Sequence, residues 1–204
     1  MLRAGLFAVL IAVPVAAKPV PRAIPASDLI IRQSSPEIDW RWRTAPEAAT
    51  QPGLLAALRR EALNEAARAR TAARADAAGA RTAGFPFRKH ESITDWTLAA
   101  DTPHLLALVG QVYSFTGGAH GNTGYAARIW DKAAKRAIPI DALFTDWPRA
   151  RRLIEPAFCR AVAEEQKQRR AGATLGGDFD ACPKLSEQPI VPWGGLGTRA
   201  PEFR

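Results

Sequence analysis

The residues best equipped for chemistry lie in one short stretch, Thr116-Gly117-Gly118-Ala119-His120-Gly121-Asn122. Its glycines open backbone conformations closed to other residues, and an imidazole that titrates near neutrality can polarise a bound group or move a proton. The same spacing suits a structural loop in which His120 hydrogen-bonds its own backbone. Gly117, Gly118, His120 and Asn122, with Tyr125 just beyond, form the candidate binding set, and His120 is the one candidate catalytic residue. Asp39, Glu91 and Asp95 could meet in space as an acid–base pair, an arrangement a linear sequence cannot fix. His90 and His104 lack metal-ligand spacing with His120 or with a cysteine, so no metal is expected. Asp178-Phe179-Asp180 lacks the remaining ligands of a calcium loop and reads as a solvated turn. The chain contains no Gly-x-Ser-x-Gly, His-Glu-x-x-His or Walker pattern, and no cofactor is expected.

Two further features bear on where such a loop would work. Cys159 and Cys182 are the only cysteines. A disulfide between them would close the stretch 160–181 and contribute about 3 kcal/mol by loop entropy; two buried thiols are the alternative. At the N-terminus, Arg3 precedes a short apolar run to Val13, Pro14 breaks it, and Val15-Ala16-Ala17 offers the small residues of a signal-peptidase site. Cleavage near Ala17 would place the protein in the periplasm or outside the cell, with no transmembrane segment left. The run is shorter than the roughly 20 residues that span a bilayer.

Charge narrows the partners. Without residues 1–17 the chain keeps 27 basic against 20 acidic side chains, a surplus of +7. In an exported protein that surplus favours anionic envelope polymers, phospholipid headgroups or acidic ligands such as an envelope protein over nucleic acid; arginines on a plain solvated helix face are the alternative. Six tryptophans are many for 204 residues. Exposed, they would form a carbohydrate or protein contact surface; buried, they are core.

These residues must be positioned by the rest of the chain. Residues 1–17 are the signal, 18–36 a Pro-rich extended leader, and 37–204 one domain, with a division at about residue 90 as an alternative. Glu37-Ile38-Asp39-Trp40-Arg41-Trp42 alternates strictly, as a half-buried strand does. Residues 53–80 are rich in Ala, Leu, Arg and Glu without proline and form a long helix, with Leu54, Leu55, Leu58, Ala62 and Ala66 as its apolar stripe. A strand over 92–99 follows, its inward face ambiguous. Residues 105–115 are apolar at nearly every position, which marks a central strand covered on both faces. Strand 125–130 and the reversal 131–136 complete a meander. A helix over 147–170 contains Pro156, with Leu153, Phe158 and Val162 as its core contacts. The expected architecture is α+β: an antiparallel meander with a long helix and a C-terminal helix packed on it.

The run Tyr113-Ser114-Phe115-Thr116-Gly117-Gly118-Ala119-His120-Gly121-Asn122 resembles the signature of the envelope domain shared by the extracytoplasmic part of RsiV, a lysozyme-sensing anti-sigma factor, and the non-catalytic N-terminal region of PdaC. The strand at 125–130, the basic turn 131–136, Leu143-Phe144 and the helix after Trp147 are similar to the elements that follow in that family. The helix around Asn64 is similar to the one that precedes. The resemblance spans about 35–170 and implies helices on an antiparallel sheet. It implies a binding module rather than an enzyme. No sigma-binding segment or deacetylase domain is expected here, and the chain ends short of the family's final aromatic strand, as a truncated form would. Lysozyme is the less expected partner, because lysozymes are generally cationic and so is this chain.

Overall fold

The structure is a computed structural model that describes residues 25–188 and 190; the signal, its cleavage site, Trp193 and the glycines at 194–197 lie outside those residues. A short turn of helix, α1 (Ala26–Leu29), leads into β1 (Ile30–Ser34) and β2 (Ile38–Arg43). The long helix α2 (Pro52–Ala83) connects them to β3 (His90–Asp101), β4 (Leu105–Phe115), β5 (Asn122–Asp131) and β6 (Arg136–Ile138). Helix α3 (Trp147–Arg169) and two short 3-10 turns complete the described chain. The six strands form one sheet in chain order. All neighbours are antiparallel except β2 and β3, which run parallel. That exception follows from connection length, since a parallel pair needs a crossover and α2 supplies it. Strand β1 takes up residues read from sequence as leader.

Helix α2 starts with Pro52 in its first turn and ends at Gly84, which adopts φ 72°. Phe85 N–H donates to the Ala80 carbonyl and Gly84 N–H to that of Arg81, a Schellman closure of the helix. The buried face of α2 is Leu54, Leu58, Ala62, Ala66, Ala73 and Ala77. Against it stand Trp40, Trp42, Trp96 and Trp130 from the sheet, all buried. Small helix residues let large indoles interdigitate at interior density. Each buried indole removes about 200 Å² from water, a gross gain of about 5 kcal/mol. Four tryptophans are therefore core, and Trp147 is half-buried.

Strand β3 is polar towards this core: His90, Ser92 and Thr94 are buried beside Trp96. Ile93, the residue a hydrophobicity rule would bury, is half-exposed on the other face. Central β4 carries buried Leu106, Ala107, Leu108 and Val109 in succession, the pattern of a strand covered on both faces. Helix α3 differs, for it has no buried residue and Pro156 lies inside it. Leu153, an expected core contact, is 72% exposed, while Phe158 and Val162 are half-buried. The disulfide Cys159–Cys182, the Arg170–Asp180 ion pair and an Arg151 hydrogen bond to the Leu185 carbonyl tie α3 to the segment after it.

Candidate functional site

The glycine-rich loop is the six residues 116–121 between β4 and β5. Gly117 has φ 86°, a conformation that disfavours a side chain. Gly121 is required for a different reason: a Cβ there would lie 2.3 Å from the Tyr113 ring. Gly118 has open space around the position of a Cβ. Arg88 donates to the Gly118 carbonyl at 2.6 Å and lies over the Phe115 ring at 4.8 Å, pinning the loop from the β3 side. His120 is exposed, and its Nδ1 lies 3.0 Å from the Gly121 carbonyl. Asn122 begins β5 as the register partner of Ser114; it is strand, not the left-handed exit residue its type suggests. Tyr125 is exposed further along the same strand, opposite Gln111.

The histidine with a carboxylate partner is another one. His90 is buried at the start of β3, with Nε2 3.4 Å from Asp76 of α2 and its ring against Phe87. It joins the C-terminal end of the long helix to the sheet. Nothing in its sequence context distinguishes it from His104, because the contact spans a helix and a loop.

Among the described residues, three cavities flanking the sheet bear on function. On the face away from α2, a concavity of about 440 Å³ is lined by Arg32, Asp39, Arg41, Glu91 and Ile93, among others. Register places Arg32 opposite Arg41 across β1–β2, and Asp39 beside Glu91 across β2–β3. Two of the carboxylates singled out by sequence thus come together. Each strand contributes alternate residues, which is why charges from three strands share one face. Asp39 is held below the usual carboxylate range by Lys89, which donates at 2.7 Å, and by the Ser34 hydroxyl. Asp95, further along the same face, bridges Arg43 at 3.1 Å and Arg41 at 3.6 Å. Arg32 forms no ion pair with any described residue.

A second cavity, about 230 Å³, lies under α2 among Trp42, Glu61, Glu65, Thr94, Trp96 and Arg128. Arg128 of β5 pairs with Glu61. Glu65, one turn on, is pushed up by burial, with Arg68 partly opposing. The Thr94 hydroxyl and the Arg128 Nε are buried without a partner. A third cavity, between the β1–β2 hairpin and the flank of α2, is about 200 Å³. Among the described residues, no group of three or more His, Cys, Asp or Glu could hold a metal.

Residues 44–123 match the family model described as deacetylase PdaC. The match bears out the resemblance to PdaC carried by the glycine-rich loop, over 44–123 rather than the whole of 35–170. The PdaC-type region runs from the end of β2 through α2, β3 and β4 to the first residues of β5, so it contains the whole loop. Two solved structures are also similar. A DUF3298 family protein from Pseudomonas aeruginosa PAO1 shares 16% identity at TM-score 0.41, over 68% of this chain and 72% of that one. A DUF3298 family member from Bacteroides fragilis NCTC 9343 shares 14% at TM-score 0.35, over 68% of this chain and 60% of that one. No curated protein matches. The disulfide Cys159–Cys182, outside the matched residues, fits an oxidising compartment. No helix among the described residues is long and apolar enough to cross a membrane.

Proposed function

We propose that this protein is a periplasmic or secreted, non-catalytic binding module of the cell envelope, and that its ligand is an anionic glycan. The observation that carries the reading is the cavity on the face away from α2. Arg32 and Arg41 stand directly opposite each other there; Arg41 reaches Asp95 at 3.6 Å, while Arg32 has no ion pair with a described residue and is the guanidinium left to take an anion beside it. Asp39 and Glu91 line the same cavity and supply acceptors for sugar hydroxyls. A surface with donors for carboxylates and acceptors for hydroxyls suits an acidic polysaccharide better than a plain polyanion. An acidic segment of an envelope protein is the competing ligand. The PdaC family match and the disulfide support an envelope setting.

His120 has little part in this reading. It is exposed and bonded within its own loop, and the tested alternative is a hydrolase using it with an acidic partner. Pull-down with purified cell-wall sacculi at low salt should retain the protein and release it as salt rises. Arg32→Gln combined with Arg41→Gln should weaken retention about tenfold or more, the loss of roughly 1.4 kcal/mol or more. His120→Ala should bind as well as the parent. Lysozyme is the control expected not to bind. Retention unchanged in the double arginine variant, or a hydrolytic activity that His120→Ala abolishes in folded protein, would overturn the reading.

A further inference from the structure

The third cavity has a composition unlike the other two. It lies on the helix side of the β1–β2 hairpin, where Gln33, Ser34, Ser35 and Trp40 face Arg70 and Arg74 of α2 across about 200 Å³. No aspartate or glutamate lines it. Its polar lining is cationic or neutral: two guanidinia, which only donate, with an amide and two hydroxyls that donate or accept, and the Trp40 indole beside them. Most of that capacity is unspent. Arg70, Arg74 and Gln33 make no side-chain hydrogen bond and no close ion pair with any described residue, whereas Ser34 and Ser35 are engaged with Asp39 and Glu37. The indole of Trp40 is 2% exposed, and its buried Nε1 has no partner.

A buried N–H without an acceptor is costly, and buried polar groups are nearly always satisfied. Arg70 and Arg74 are four residues apart and so lie on the same side of α2. Two like charges held one turn apart repel each other until an anion joins them. Glu37 does not fill this role: its carboxylate accepts from the Ser35 hydroxyl at 2.8 Å. That bond first, and Arg74 and Arg81 at longer range, hold it below the usual glutamate range.

We infer that the cavity between the β1–β2 hairpin and α2 is a binding site for a compact oxyanion of the phosphate class, with Arg70 and Arg74 forking its oxygens beside the buried Trp40 indole. Arginine is suited to this because its planar fork matches two oxygens of one anion. The volume accommodates a single such group with room for water, so the anion can be free phosphate or the exposed headgroup of a phospholipid. The site adjoins the Arg32–Arg41 cavity across the hairpin and shares Gln33, Ser34 and Trp40 with it, but its cations are those of α2 and it does not depend on the glycan reading.

The test is a titration of the ¹⁵N-labelled full chain with inorganic phosphate, ionic strength held constant with chloride. The indole N–H resonance of Trp40, assigned by triple-resonance spectroscopy, should shift and saturate. Arg70→Gln and Arg74→Gln should each raise the apparent Kd by about tenfold. Arg68→Gln removes the same charge from an exposed position of α2 outside the cavity and should leave it unchanged. Arg32→Gln with Arg41→Gln should also leave it unchanged, which keeps this result distinct from sacculus binding. Sedimentation with phosphatidylglycerol vesicles then identifies the source. Pelleting lost in the Arg70 and Arg74 variants means a lipid headgroup, and no pelleting means a free phosphate. Absence of a saturable shift at the Trp40 indole, or equal weakening in Arg68→Gln, would overturn the inference.

Discussion

The sheet with α2, and the region around α3, are held together by different physics. In the first, four tryptophans pack against an alanine-faced helix, and α2 has six buried residues. In the second, a helix of 23 residues has none. Its ties to the segment after it are one disulfide, the Arg170–Asp180 pair, and hydrogen bonds from Arg151 to the Leu185 carbonyl and from Gln166 and Arg170 to that of Phe179. Asp180 also accepts from Gly176 N–H at 2.6 Å and Leu175 N–H at 3.3 Å. Burial stabilises in proportion to area, so the first region resists local opening; a segment with few buried apolar contacts opens at low cost unless it is cross-linked. The candidate sites follow this division. The cavities described above are lined mainly by strand and α2 residues.

The sharpest way to break the contrast is to remove an indole. Trp42 is 1% exposed, and Trp42→Ala should cost about 3–5 kcal/mol, read as a loss of cooperative unfolding by chemical denaturation. A cost below about 1 kcal/mol would mean that the tryptophan layer is not what holds the sheet to α2.

Cys159→Ser addresses the other side. Were the two regions one cooperative unit, loss of the bridge across 23 residues would lower global stability by about 3 kcal/mol. The expected outcome is different. The sheet and α2 should melt within about 0.5 kcal/mol of the parent, while residues 170–188 become protease-sensitive. A full loss in the main transition would show that the regions unfold together.

The smallest effect is expected inside the first region. Burial raises Glu65 above its ordinary 4.5, so the folded state binds its proton more tightly than the unfolded state. Stability from this group is therefore greatest below the unfolded value and falls as pH rises through the raised one. Glu65→Gln should raise Tm slightly at neutral pH, and the gain should vanish below about pH 4.5. A gain independent of pH would point to packing rather than charge.

Much of this architecture is legible locally. The alternation at 37–42, the helical composition of 53–80 and the apolar run at 105–115 correspond to β2, α2 and β4, because periodicity is a property of neighbouring residues. The family resemblance at 113–122 is legible for the same reason, as Gly117 and Gly121 answer to the backbone and to Tyr113 within one hairpin.

What only the tertiary structure decided are relations between distant residues. Sequence singled out His120 for chemistry, but its ring bonds its own loop while His90 meets a carboxylate. Polar Ser92 and Thr94 face the core because parallel pairing with β2 fixes their side of the sheet. The Arg32–Arg41 pair and the Arg70–Arg74–Trp40 cavity join residues that no spacing rule would group. Charge alone supplied a surplus of positive residues; where those charges converge, and which donors stay unspent beside them, is set by strand register and by the path of α2 across the sheet.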